Sequence, residues 1–425
     1  MLCFFSFKNF KSYRTETEFD FQAAAIPEFE ESLLKADKSD VALLPVSAIY
    51  GPNGGGKTNL LQALACLISM VVRPVAELEK NRQRIILQYG VSCVPFLFDN
   101  DSKVEPTEFQ IYFRQSGREY RYYISVHEGA IISESLYWRN IGGKRIGTVF
   151  EREREKIKLG TSISKSGINK MVNPRMPYLS FLAINYNLDV ITDVMTWFES
   201  CIVQSYAIPE VDNRVLLVDE EKTKRRIITV LNDLDIDICD YRYNAEERQL
   251  YTGRMVDGEY YELPFAVESD GTKKLLAALP ILLLALQEGR LVVVDELDAK
   301  LHPKLLRYII KLFKNTDYNK LGAQLIFTSH DLTTMKNTVF RRDEIWFAAL
   351  DDKHESEIYS LYEFDRELRA IIFEYTLQIE NTLRTLVSHV FSKYHGVENY
   401  LRYSNFDFID YKSASNKKIN EINIK

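Results

Sequence analysis

"VSAIYGPNGGGKTNLL", residues 46–61, runs from a short apolar stretch through a glycine-rich turn into helical spacing. The β-branched and aromatic residues of 46–50 favour a buried strand. Within the turn, "GPNGGGKT" at 51–58 fits G-x-x-x-x-G-K-[ST]. Glycines there let backbone N–H groups wrap phosphate oxygens, and a helix expected from Lys57 to about Met70 adds the positive end of its dipole. On this reading Lys57 reaches the outer phosphates and the Thr58 hydroxyl holds Mg2+.

Two further stretches belong with that loop. "LVVVDELD" at 291–298 is a run of four apolar strand residues followed by Asp295 and Glu296. Carboxylates at the end of a buried strand are costly unless a cation or a water network uses them. Asp295 is therefore expected to order the Mg2+ shell and Glu296 to polarise an attacking water. "LIFTSHD" at 325–331 sets His330 just past another buried strand, where it could sense a terminal phosphate. Around these stretches, helices are expected over 272–287 and 303–314, and strands over 291–294, 324–328 and 344–348. Helix alternating with strand implies a parallel sheet and an α/β fold.

Other segments have a different texture. Residues 2–7 and 19–22 read as short strands. Between 107 and 138, "TEFQIYFRQSGREYRYYISVHEGAIISESLYW" alternates polar and aromatic residues and is cut at Ser116-Gly117 and Glu128-Gly129, the pattern of an antiparallel meander. "EREREKIK" at 151–158 alternates in sign and reads as a solvated surface element. The pattern is helical from 178 to 234, returns to strands over 239–263, and gives a last short strand, "EIYSL", ending near 361. Helical period then holds as far as Gly396.

A length of 425 residues suggests two or three packed units, and the 46% hydrophobic content can fill a large core. The net charge of -6 argues against coating nucleic acid by charge alone and leaves a local groove open. Cys3, Cys66, Cys93, Cys201 and Cys239 are scattered singly, as reduced cytosolic thiols would be. "MLCFFSFKNFKSY" carries lysines inside its apolar run, so no secretory signal is expected. "LLAALPILLLAL" at 275–286 falls short of the roughly 20 residues a bilayer needs. A cytoplasmic protein without membrane contact is the expectation.

"ESDGTKKLL" at 268–276 puts Ser269 and Gly271 at the start of a helix, one helix before the Asp-Glu strand. Together with "FKNFKSY", "IYGPNGGGKTNLL", "VVVDELDAKLHP", "AQLIFTSHD" and "RRDEIWF", it makes residues 1–362 resemble the cassette-type (ABC-type) AAA family ATPases of bacterial anti-phage systems. These are relatives of the overcoming-lysogenization-defect and structural-maintenance-of-chromosomes (SMC) ATPases. The resemblance implies a P-loop NTPase fold of ABC-ATPase type, with an antiparallel β lobe and a helical insert over about 85–240. It implies ATP and Mg2+ as ligands, with Gly51, Asn53, Gly54, Gly55, Gly56, Lys57, Thr58 and Asn59 around the nucleotide. Thr58 and Asp295 would hold the metal, Glu296 the water, and His330 would act as the switch histidine. Ser269 and Gly271 would act across a dimer on the neighbouring subunit's ATP, with Asp298 in the inter-subunit loop. The class also uses a glutamine loop, whose expected home is the strand-rich insert before 150. The chromosome-organising branch is disfavoured, because no long coiled coil separates the glycine loop from the serine-glycine loop.

From 359 onward, "YSLYEFDRELRAIIFEYTLQIENTLRTLVSHVFSKYHGVENYLRYSNF" resembles abortive-infection (Abi) proteins with a HEPN-type α-helical domain. Many of these are metal-independent ribonucleases with an R-x4-6-H motif, which Arg384 and His389 fit with four residues between them. A histidine can move a proton at the ribose 2′-hydroxyl while a guanidinium holds the scissile phosphate. Positions five apart on a helix, however, lie about 140° apart around its axis. A non-catalytic segment would instead pack through Leu368, Ile371, Ile372, Tyr375, Leu383 and Leu386.

The two resemblances together imply an ATP-hydrolysing sensor or switch of an anti-phage, abortive-infection system that controls a toxic nuclease effector. Expected partners are a second copy, in a homodimer or higher oligomer built on an ATP sandwich, an effector nuclease or toxin or a phage trigger protein, and a nucleic acid, RNA or DNA. Two alternatives stand beside it: an ATPase scaffold holding a separately encoded nuclease or toxin, and a DNA-repair SMC-like ATPase.

Overall fold

The computed structural model describes residues 1–36, 39, 41–74, 93–163, 166–205, 221–244, 246–247, 249–299 and 301–395. In chain order, β1 (Leu2–Lys8) and β2 (Thr17–Asp20) form a hairpin, β3 (Val46–Tyr50) runs into α1 (Lys57–Val72), and α2 (Asn100–Val104) precedes a meander. The meander comprises β4 (Thr107–Gln115), β5 (Arg118–His127), β6 (Ala130–Asn140), β7 (Gly147–Glu153) and β8 (Lys156–Leu159). Next come α3 (Tyr178–Asn185), α4 (Asp189–Ser200), β9 (Ile202–Ser205) and α5 (Glu221–Asp233). A small antiparallel sheet follows, of β10 (Asp240–Asn244), β11 (Gln249–Val256) and β12 (Glu259–Pro264). Then α6 (Asp270–Glu288), β13 (Leu291–Asp295), α7 (Pro303–Lys314), β14 (Gln324–Thr328), β15 (Ile345–Leu350), β16 (Ser356–Ser360) and α8 (Leu361–His395) complete the series.

The site is organised by a six-stranded sheet in the order β16-β15-β3-β14-β13-β9, in which all but the edge strand β16 run parallel. Its strands are apolar without alternation because both faces are covered. Val46, Ala48, Val292, Val294, Leu325 and Phe327 enter one core with α6 and α7. Ile49, Val293 and Ile326 enter the other, with α1 and the antiparallel sheet. The α/β fold expected from the loop and the helix-strand alternation is the fold observed.

The second sheet has the order β2-β1-β4-β5-β6-β7-β8 and is antiparallel throughout. Its turns fall where the sequence reading puts them: Ser116-Gly117 and Glu128-Gly129 all have positive φ, as tight hairpin turns require. One face buries Phe5, Phe7, Phe109, Phe113 and Tyr122 against α1 and α4.

One expectation holds in part and another needs correction. "EREREKIK" is a surface hairpin, β7–β8, with Glu153, Arg154, Glu155, Lys156 and Lys158 exposed, but it buries Ile157 and Arg152, whose Nη1 lies 3.5 Å from Oε2 of the buried Glu134. Glu134 also accepts the backbone N–H groups of Tyr178 at 2.6 Å and Leu179 at 2.9 Å, so it anchors the first turn of α3. Alternation in charge sign concealed the strand's own alternation between inside and outside. The 178–234 stretch, read as helical, is interrupted by β9, which pairs in parallel with β13. Four residues are too few to display a period, and only the partner strand defines them.

The chain divides into two units, Met1–Tyr362 and Glu363–Lys425. Among the described residues of the second, α8 exposes Leu368, Ile371, Ile372, Tyr375, Leu383 and Leu386. Among the described residues no helix is long and apolar enough to cross a membrane. None of the five cysteines is in a disulfide.

Candidate nucleotide site

The glycine loop lies at the carboxyl end of β3, in the crevice where parallel sheets place their ligands. Gly51, Gly54 and Gly56 have φ of 147°, 79° and 101°. A Cβ on Gly51 would strike the Ala348 carbonyl of β15, and one on Gly55 would lie 2.7 Å from that same oxygen. At Gly54 a Cβ would meet nothing within 4 Å, so the tip of the loop faces open space. Gly56 is the N-cap of α1 and offers no side chain to its first turn, which leaves those N–H groups for an anion.

The "FKNFKSY" stretch supports the loop from behind. The Tyr13 phenol donates to the Gly56 carbonyl at 3.2 Å, and Asn59 Nδ2 donates to the Ser12 hydroxyl at 2.8 Å. Lys57 is 6% exposed, and its Nζ donates to the Gly51 and Pro52 carbonyls at 2.9 and 3.0 Å. Burial draws the Lys57 pKa below that of an ordinary lysine, opposed by the carboxylates of Asp295, Glu296 and Asp298.

Because β14 lies between β3 and β13, three strand ends meet. The Thr58 hydroxyl donates to Asp295 Oδ2 at 3.0 Å. From β14, the Thr328 hydroxyl donates to Asp295 Oδ1 at 2.7 Å and accepts the Glu296 N–H at 2.7 Å. Glu296 sits in the left-handed region with φ 51°, and its carbonyl accepts from Nζ of the buried Lys274 in α6 at 2.6 Å. A non-glycine residue held there by bonds on both its N–H and its carbonyl aims its side chain by backbone constraint. Nothing local in the sequence singles out Thr328 or Lys274. The threonine stood in plain view in "IFTSHD", but a hydroxyl at a strand end carries no signal until the neighbouring strand is known.

Asn53, Gly54, Gly55, Gly56, Lys57, Thr58, Asn59, Asp295, Glu296 and His330 line one cleft of about 250 Å3, together with Thr328. Asp298 stands beside it and accepts the backbone N–H groups of His330 at 2.9 Å and Asp331 at 3.0 Å, so it fixes the loop that carries the histidine. Ser269 and Gly271 lie outside this cleft, at the start of α6, where the Ser269 hydroxyl accepts the Thr272 N–H at 3.2 Å. Among the cleft-lining residues there is no glutamine. Arg384 and His389 are both exposed on α8, and Arg384 pairs with Glu380 at 2.6 Å rather than with the histidine. The donor set suits the implied ligands. One hydroxyl and one carboxylate are hard oxygen ligands that leave a small cation most of its water, as Mg2+ prefers.

The family described as "AAA domain, putative AbiEii toxin, Type IV TA system" matches residues 46–336, from the first residue of β3 to just beyond the His330 loop. The chain belongs to this AAA-domain family. Its AAA-type ATPase domain is followed by an Abi-like segment, since the family described as "Abi-like protein" matches residues 333–425. Among solved structures, the chain is similar to an SMC head domain from Thermotoga maritima, with 14% identity over 84% of this chain and 98% of that one and a TM-score of 0.42. It is also similar to an Smc head domain with an extended coiled coil, bound to the C-terminal domain of ScpA derived from Pyrococcus furiosus, with 13% identity over 87% and 99% and a TM-score of 0.41. No curated protein matches the chain.

Proposed function

We propose that this chain is a Mg2+-dependent ATP-hydrolysing switch of an abortive-infection system, and that its cycle governs a toxic nuclease effector. The observation that carries the reading is the Thr328 hydroxyl, which ties Asp295 to Glu296 while Thr58 reaches Asp295 from the glycine loop. A structural turn needs no such convergence of carboxylates and hydroxyls from three elements.

In this reading the first turn of α1 and the glycine loop hold the phosphates, and Lys57 leaves its carbonyl partners to meet the terminal phosphate. Mg2+ held by Thr58 and Asp295 would neutralise charge on the phosphate oxygens. Glu296, aimed by Thr328 and Lys274, accepts a proton from the attacking water. His330, positioned through Asp298, stands at the cleft as the group that distinguishes the nucleotide before and after cleavage. Ser269 and Gly271 lie outside their own cleft, which suits action on the nucleotide of a second copy, so that two protomers close around two nucleotides and hydrolysis reopens them. The effector is the Abi-like segment 363–425 or a nuclease encoded separately.

The test is Lys57→Ala and Glu296→Gln in cells challenged with phage, alongside turnover by the purified chain. Both variants should lose ATP turnover and restriction together. Retention of both by Lys57→Ala would sink the reading.

A further inference from the structure

The outer face of the seven-stranded sheet carries two adjoining cavities of about 540 and 360 Å3. They share Tyr112, Glu119 and Arg139 and so form one groove. Two rows of cross-strand neighbours make its floor. In one, Arg114 on β4 faces Glu119 on β5, which faces Arg139 on β6, so a single carboxylate is set between two guanidiniums. Arg114 is only 5% exposed, 3.5 Å from Glu119, while Arg139 Nε donates to the same carboxylate at 2.7 Å. In the other row, Tyr112, Arg121 and Tyr137 stand side by side, and the Arg121 guanidinium lies 5.7 and 5.9 Å from the two ring centres.

The turn between β6 and β7 closes one end of the groove. Gly142 and Gly143 line the larger cavity and Ile146 the smaller, while Lys144 and Arg145 between them are exposed. Glu151, which accepts the Tyr137 phenol at 2.8 Å, is matched by Lys158 at 3.4 Å. On a chain of net charge -6, this leaves a local excess of positive charge beside two tyrosine faces. Aromatic faces interleaved with arginines stack bases of any sequence, and the flanking cations follow a phosphate backbone. A duplex hides its base faces, so it cannot use the tyrosines.

We propose that this groove binds a single nucleic-acid strand, with bases stacked on the Tyr112–Arg121–Tyr137 platform and phosphates along Arg139, Lys144 and Arg145. The site is separate from the nucleotide cleft and does not rest on the switch reading. The full chain would be titrated against a fluorescently labelled single-stranded DNA or RNA homopolymer of about 16 nucleotides at several salt concentrations. The triple variant Arg139→Ala, Lys144→Ala, Arg145→Ala should lose at least about tenfold in affinity and bind with a shallower salt dependence. Tyr137→Ala should lose about tenfold, whereas Tyr137→Phe, which keeps the ring, should bind as wild type. Removing equal charge outside the groove, by Lys304→Ala, Lys311→Ala and Lys320→Ala, should change little. Failure of the strand to saturate the protein, wild-type affinity in the groove variants, or equally tight binding of a duplex would each overturn the proposal. So would full competition by polyglutamate combined with indifference to Tyr137→Ala, which would assign the groove to an acidic peptide.

Discussion

Thr328 at the end of β14 donates its hydroxyl proton to Asp295 Oδ1 at the end of β13, 2.7 Å away, and receives the Glu296 N–H at the same distance. One hydroxyl thus orients both acidic groups of the proposed site. Replacing Thr328→Val keeps the shape and removes both bonds. ATP turnover should fall by about 10–100-fold, the usual loss when a group orienting a metal ligand is removed. Thr328→Ser should recover most of it. Wild-type turnover in the valine variant would show that Asp295 and Glu296 are held by other contacts.

Gly56 combines a φ of 101° with a Cβ position that meets the Ser356 side chain and the Tyr13 phenol. Gly56→Ala should therefore distort the loop, at a cost above about 1 kcal/mol, while β3 and α1 still pack. The expected result is a folded chain whose melting temperature no longer rises on adding ATP and Mg2+. An unchanged ATP-dependent shift would contradict the proposed backbone cradle.

Arg341 is fully buried and binds Asp343 through Nε and Nη2, both at 2.9 Å, while Nη2 also donates to the Ala24 carbonyl at 3.0 Å. It fastens the segment after β2 to the turn before β15. Arg341→Met strands a buried carboxylate and should lower stability by about 3–5 kcal/mol. Chemical denaturation of the two proteins measures the difference directly.

Glu344 and Lys314 form a buried ion pair at 2.6 Å. Burial pushes the Glu344 carboxyl up to about 7 from its ordinary 4.5, against the pull of Lys314, and draws the Lys314 ammonium down. A carboxyl raised on folding favours the native state most when protonated. Its contribution is therefore full below about 4.5 and is lost as pH rises through about 7. Glu344→Gln should remove this fall in stability, a slope on the order of 1 kcal/mol per pH unit, across that window. Melting curves of both proteins at a series of pH values check the sign.

Arg384 and His389 are exposed, and the arginine is engaged by Glu380. Arg384→Ala and His389→Ala should leave ATP turnover at the wild-type rate, since neither residue lines the nucleotide cleft. Growth arrest measured in the same strains assigns the effector. Its loss in both variants places the toxic chemistry on α8, and its persistence shows that Arg384 and His389 take no part in it.

The sequence alone determined the glycine loop, the Asp-Glu strand end and the antiparallel meander, because each is governed by local constraints. A phosphate cradle needs particular φ angles within eight residues, and a meander needs period two with turns that allow positive φ. Tertiary structure alone decided what crosses between elements. The strand order β3-β14-β13 brings Thr328 between Thr58 and Glu296, and the packing of α6 brings Lys274 to the Glu296 carbonyl. β9 exists as a strand only because β13 lies beside it, and Arg152 is buried because Glu134 on the neighbouring strand and the Arg154 and Met176 carbonyls receive it. The rows Arg114–Glu119–Arg139 and Tyr112–Arg121–Tyr137 are likewise products of register, which no local pattern specifies because the pairing partners lie on separate strands.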